Sequence, residues 1–108
     1  AARVPELIAA HLRPALAGWL AEHGLALPDV PTWAVHPGGP RILSATCEAL
    51  GLPGAAVEVS RQVLADCGNM SSPTILFILD RLRRSGAPLP CVALAFGPGL
   101  SAEAVLIR

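Results

Sequence analysis

The sequence predicts an α/β fold in which a small sheet is outnumbered by its helices, and three observations carry that reading. Apolar residues recur at helical spacing near the start of the chain. Two continuous apolar runs of strand length, Cys91 to Phe96 and Ala102 to Ile107, stand near its end. Between these regions, glycines and prolines separate one short strand from three helical stretches. The resulting order is helix, strand, helix, helix, helix, strand, strand.

Each element has a local reason. From Val4 to Glu22, the residues Leu7, Ile8, Leu12, Leu16, Trp19 and Leu20 form one apolar stripe. Pro14 strains its middle and predicts a kink or an early stop, and Gly24 is a natural C-terminal stop. Leu25 to Pro31 is a connector with two prolines. Thr32 to Val35 is a short strand ended by His36-Pro37-Gly38-Gly39. Pro40 opens the next helix, where its missing N–H costs nothing. That helix runs to Leu50, turns Ile42, Leu43, Thr46, Ala49 and Leu50 inward, and stops at Gly51. Ala55 to Ala65 is a weaker helix that ends near Gly68. Ser71 or Ser72 can cap the following helix, with Pro73 just inside it. Ile75 to Leu79 are apolar on every side of that helix, so it is expected to be buried all round, as a layer between two sheets. Its last turn carries Arg81, Arg83 and Arg84, which suit the negative end of the helix dipole. The turn Gly97-Pro98-Gly99 is short enough to join the last two strands as an antiparallel pair.

Composition narrows the function. The 108 residues allow one small domain. They are 53% hydrophobic and 15% charged, against about 25% charged in an ordinary soluble domain. A small domain has much surface for its volume, so this chain is short of polar cover and is expected to bury a face against more protein. The net charge is zero, no basic run occurs, and nucleic acid is not an expected partner. Every basic residue is arginine, which with the abundant alanine suggests a GC-rich bacterial genome. Cys47, Cys67 and Cys91 have neither an even count nor a metal-ligand spacing, so reduced thiols in the cytoplasm, and no metal, are expected. The N-terminal residues, which include Arg3, Glu6, His11 and Arg13, do not read as a signal peptide. The apolar stretch near Leu89 to Leu100 is interrupted by prolines and glycines and falls short of the about 20 residues a membrane span needs.

Two glycine-flanked motifs carry the chemistry. The first is Trp33-Ala34-Val35-His36-Pro37-Gly38-Gly39-Pro40, in which a strand ends in an imidazole and glycines let a ligand or another backbone approach. The second is Gly68-Asn69-Met70-Ser71-Ser72. Either motif alone also fits a plain turn: His36 against a helix start, Asn69 in a left-handed bend before a capping serine. Together they supply two uncharged donors, which aimed at one thioester oxygen would stabilise an enolate as it forms. His11 and His23 lack such a setting and read as surface or helix-end residues.

At these motifs the chain resembles the chalcone and stilbene synthases, the type III polyketide synthases. Three blocks carry the likeness in order: Trp33 to Leu43, Val63 to Asp80, and Phe96 to Glu103. The opening helix from Val4 to Ile8 is similar too. The resemblance implies that residues 1–108 are a C-terminal chalcone synthase-like domain. They would form part of the C-terminal half of a thiolase-like fold of alternating α and β layers, with a small mixed sheet packed by helices. It implies decarboxylative condensation of an acyl-CoA starter with malonyl-CoA, with CoA thioesters as substrates, no bound cofactor, and a homodimer. It makes His36 and Asn69 catalytic. Gly38, Gly39, Pro40 and Arg41 would lie by the CoA tunnel, and Ser71, Gly97 and Pro98 would line the cyclisation cavity.

The departures are informative. The family's cysteine nucleophile lies in the preceding half of the chain, and nothing here matches it. Cys47 and Cys91 read as small core residues. Cys67 stands where relatives often have an aromatic residue, beside the Asp66 carboxylate, which disfavours a thiolate. Pro73 replaces a small residue, and the first strands of the half are absent. The chain by itself is therefore expected to be inactive, with the missing N-terminal half as its partner. Two other readings remain open at this point. A ketoacyl-acyl-carrier-protein synthase of the third type shares the fold but is expected to have Gln-Ala-Asn after the histidine, in place of Pro37-Gly38-Gly39. A non-catalytic partner or scaffold subunit would also explain the apolar excess.

Overall fold

A computed structural model describes residues 4–70, 73–97 and 101–108. Helix α1 spans Val4–Glu22. Strand β1, Thr32–Val35, follows a short 3-10 turn at Leu27–Asp29. Helices α2, Pro40–Leu50, α3, Glu58–Cys67, and α4, Pro73–Arg84, precede the strands β2, Cys91–Gly97, and β3, Ser101–Ile107.

The sheet is small and mixed, in the order β1-β2-β3. β1 runs parallel to β2, from Thr32 opposite Cys91 to Val35 opposite Leu94. β3 runs antiparallel to β2, from Gly97 opposite Ser101 to Cys91 opposite Ile107. The expected antiparallel pair is therefore present, although Pro98 and Gly99 of its turn lie outside the described residues.

Strand side chains alternate between faces, and here that alternation divides two cores. Trp33, Val35, Val92 and Leu94 point to one side. They pack there with Ile8, Leu12, Leu16 and Leu20 of α1 and with Leu43, Cys47 and Leu50 of α2. Ala34, Cys91 and Ala93 point to the other side, where Val63 of α3 and Ile78 of α4 cover them. Small side chains on that second face leave room for helices to approach closely. The buried indole of Trp33 donates to the Val30 carbonyl at 3.2 Å, so its one polar atom is satisfied.

Three expectations need correction. α1 continues through Pro14, because its buried stripe at Ile8, Leu12, Leu16 and Leu20 faces the core while Pro14 is exposed. On that outer face water can satisfy the carbonyl that proline leaves unpaired. The helix expected over Ala55 to Ala65 is present as α3 and ends at Gly68 as expected, but its first turn is a separate 3-10 turn, Gly54–Val57. The largest correction concerns α4, which is not wrapped all round within this chain. Thr74 and Ile78 are buried, but Leu76 is 64% and Phe77 48% exposed. Among the described residues there is one sheet, and it can cover only one side of a helix.

The glycine stops are where the sequence puts them. At Gly24 and Gly51 the chain turns left-handed, and the next residue's N–H returns to the last helical turn, Leu25 to Leu20 at 3.0 Å and Leu52 to Cys47 at 2.9 Å. Cys47 and Cys91 are buried core thiols, as expected, while Cys67 is exposed. Asp80 pairs with Arg83 and Arg84 at 2.9 Å, and Arg81 reaches Asp66 on α3 at 3.0 Å. Among the described residues, no helix is long and apolar enough to cross a membrane.

Candidate active site

His36 is placed by the sheet. It is the first residue after β1, and its own N–H donates to the Leu94 carbonyl of β2 at 2.8 Å. The preceding N–H, that of Val35, points away from β2 and donates instead to the Ser60 hydroxyl of α3 at 3.3 Å. The histidine backbone is thus fixed to a strand on one side and a helix on the other. Its half-buried side chain stands at the carboxyl end of β1, where open α/β sheets characteristically bind ligands.

The glycines after it turn the chain directly into α2. The Gly38 N–H closes back on the His36 carbonyl at 3.0 Å, and Gly39 is the N-cap of α2 with φ 157°, a conformation that residues with a Cβ rarely adopt. Pro40 occupies the first helical turn, as expected. The positive end of the α2 dipole and the exposed Arg41 therefore follow directly on the histidine turn.

These residues open onto a cleft of about 470 Å3. His36, Gly38, Gly39, Pro40, Arg41 and Gly97, which the sequence nominates separately, line it together. Ile42 and Phe96 complete its apolar wall with Val4 and Pro5 from the start of α1. Val4 and Pro5 went unrecognised because their signal is that of an ordinary helix start. Phe96 went unrecognised because it ends an apolar strand run.

Asn69 is held separately. It follows Gly68, whose N–H closes the end of α3 on the Leu64 carbonyl at 2.9 Å. After it, the Met70 N–H donates to the fully buried Thr74 hydroxyl at 2.8 Å. Asn69 itself is exposed and is not among the residues that line the cleft around His36. The nominated Ser71 and Pro98 lie outside the described residues. Burial pushes the thiols of Cys47 and Cys91 up from their ordinary value, which suits core residues rather than thiolate nucleophiles. Among the described residues, no group of three or more His, Cys, Asp or Glu side chains gathers to hold a metal.

With this geometry in view, known proteins are informative. The sequence pattern of "Chalcone and stilbene synthases, C-terminal domain" matches residues 1–108. The chain is 43% identical over 110 residues to 1,3,6,8-tetrahydroxynaphthalene synthase from Streptomyces peucetius subsp. caesius, covering 99% of this chain and 29% of that protein. It is 34% identical over 107 residues to the alpha-pyrone synthesis polyketide synthase-like Pks18 of Mycobacterium tuberculosis, covering 95% of this chain and 27% of that one. The crystal structure of PKS-I from the brown alga Ectocarpus siliculosus superposes with a TM-score of 0.92 at 35% identity, across 100% of this chain and 31% of that chain. The chain thus spans less than a third of the length of these relatives.

Proposed function

The chain belongs to the chalcone and stilbene synthases, as a C-terminal domain of the type III polyketide synthases, and on that premise we propose that it carries two of the three reacting groups of an acyltransferase. In the complete enzyme, an acyl group from a CoA thioester is held on a cysteine thiolate and condensed with malonyl-CoA. Loss of CO2 from the malonyl thioester leaves an enolate. That enolate attacks the acyl carbonyl, and the cysteine thiolate leaves.

The His36 imidazole and the Asn69 carboxamide serve as neutral donors to the thioester oxygen on which negative charge grows. A stronger acid in their place, such as an imidazolium or a neutral carboxylic acid, would hand the carbanion a proton and quench it, whereas weakly acidic neutral donors stabilise it without giving up a proton. Gly38, Gly39, Pro40 and Arg41 border the passage for the CoA thioester, with Arg41 and the α2 dipole favouring its anionic groups. Gly97, which borders the same cleft, belongs to the wall of the product cavity. The single observation that carries this reading is the cleft around His36, which the strand end, the glycine turn and the start of α2 build together.

No thiol in the chain fits the nucleophile's task. Cys47 and Cys91 are buried with raised pKa values, and Cys67 ends α3, where the helix dipole is unfavourable to an anion. We therefore expect no turnover from the chain alone with acyl-CoA and malonyl-CoA. Adding the remaining, cysteine-bearing part of the enzyme as a separate polypeptide should restore CO2 release and polyketide formation. In that mixture His36→Ala or Asn69→Ala should slow condensation about a hundredfold or more. Turnover by the isolated chain, or a restored rate indifferent to both substitutions, would refute the proposal.

A further inference from the structure

Ser60 and Thr74 occupy core-facing positions where apolar residues would ordinarily stand, and both are fully buried. Their hydroxyls have parallel tasks. Ser60, in the first turn of α3, accepts the N–H of Val35, the residue before His36, at 3.3 Å. Thr74, in the first turn of α4, accepts the N–H of Met70, the residue after Asn69, at 2.8 Å. A backbone bond completes the grip in each case: the N–H of His36 itself to the Leu94 carbonyl at 2.8 Å, and that of Gly68, the residue before Asn69, to the Leu64 carbonyl at 2.9 Å. α3 takes part in both arrangements, since its first turn holds the strand that bears His36 and its end leads to Asn69.

We propose that Ser60 and Thr74 are positioning residues, each lending one buried hydroxyl to fix the peptide beside a reacting side chain. α3 thereby sets the separation of the two donors. The inference rests on the reading of His36 and Asn69 as the reacting pair. A chain that needed only stability at these positions would gain it from valine or alanine, with no polar atom to satisfy. A hydroxyl is required where a backbone N–H must be held in one place without a further strand. Val35 is such a position, because its N–H points away from β2, the strand that β1 pairs with among the described residues. Met70 is another, since its segment runs between two helices. Oxyanion donors must sit within a few tenths of an ångström of the charge they stabilise, so the local backbone is where precision has to be enforced.

Amide hydrogen exchange on the 108-residue chain tests the placement, and kinetics test the role. In the unaltered chain the Met70 and Val35 amides should be protected. Exchange of either at a free-peptide rate overturns the proposal without any variant. Thr74→Val should accelerate exchange at Met70 by about tenfold while leaving His36 unchanged, and Ser60→Ala should do the same at Val35 while sparing Met70. Thr74→Ser and Ser60→Thr should restore protection. Uniform acceleration at all amides, or failure of the hydroxyl variants to rescue, would mean a merely structural role. In the mixture with the cysteine-bearing part, Thr74→Val and Ser60→Ala should lower kcat about tenfold with KM for malonyl-CoA unchanged. Unchanged kcat in an active mixture overturns the positioning role. An unaltered mixture that is inactive while the amide pattern holds instead brings down the condensing reading on which the role depends.

Discussion

The two faces of the sheet are finished to different degrees. On the α1/α2 face a broad core closes around Trp33, Val35, Val92 and Leu94, and its large side chains are almost wholly inaccessible. On the α3/α4 face the core is thin, made of Ala34, Val63, Ile78, Cys91 and Ala93. Beyond it, Leu76 and Phe77 on α4 and Val105 on β3 remain open. One face is closed within this chain, and the other leaves apolar side chains open. The chain's low share of charged residues agrees with this division, since part of its surface is apolar.

Four measurements would break or sharpen that contrast. Truncation at the centre of the closed face should cost most. Trp33→Ala should destabilise the chain by about 3–5 kcal/mol in a denaturant titration, since the surrounding core collapses only partly. On the thin face Ile78→Ala should cost about 2 kcal/mol, the low end for such a change, because α4 has an open flank and can move inward. Equal losses at the two positions would end the distinction.

Alkaline pH should come next. The chain has no tyrosine and every basic residue is arginine, so its side chains that titrate between about pH 8 and 11 are thiols. The folded state raises the pKa of Cys47 and Cys91 by burial. Above the ordinary thiol value the unfolded state loses these protons first, so stability present below about pH 8.5 should decline as pH rises towards the folded values. The double variant Cys47→Ala, Cys91→Ala should show a flatter stability profile above pH 8.5 in thermal melts.

The smallest effect on folding should come from the open side. Phe77→Ser should change stability by no more than about 0.5 kcal/mol, yet lower self-association in sedimentation and weaken binding to the rest of the enzyme. A loss as large as that of Trp33→Ala would show that the exposed face is an integral part of this fold.

Much of this molecule could be read residue by residue. Gly24 and Gly51 stop their helices because a left-handed residue without a Cβ is needed there. Pro40 begins α2 because it has no N–H to lose. The His36 turn and its glycines were recognisable as a strand end feeding a helix. Other features were out of reach. Nothing near Pro14 says that its freed carbonyl faces water. Nothing in the run Ile75 to Leu79 says which flank lacks a neighbour. Ser60 and Thr74 gave a faint sign, as polar residues in apolar stripes, but their partners lie 25 residues away in one case and four in the other, outside the helix itself.

The sequence by itself determined the elements, their ends and the two motifs, because those depend on dihedral preference and periodicity within a few residues. Tertiary structure alone decided that β1 and β2 lie side by side across three intervening helices, that Val4, Pro5 and Phe96 close the cleft around His36, and that α4 keeps one flank bare. Each of those outcomes depends on which distant surfaces meet, and no local preference encodes the free energy of such meetings.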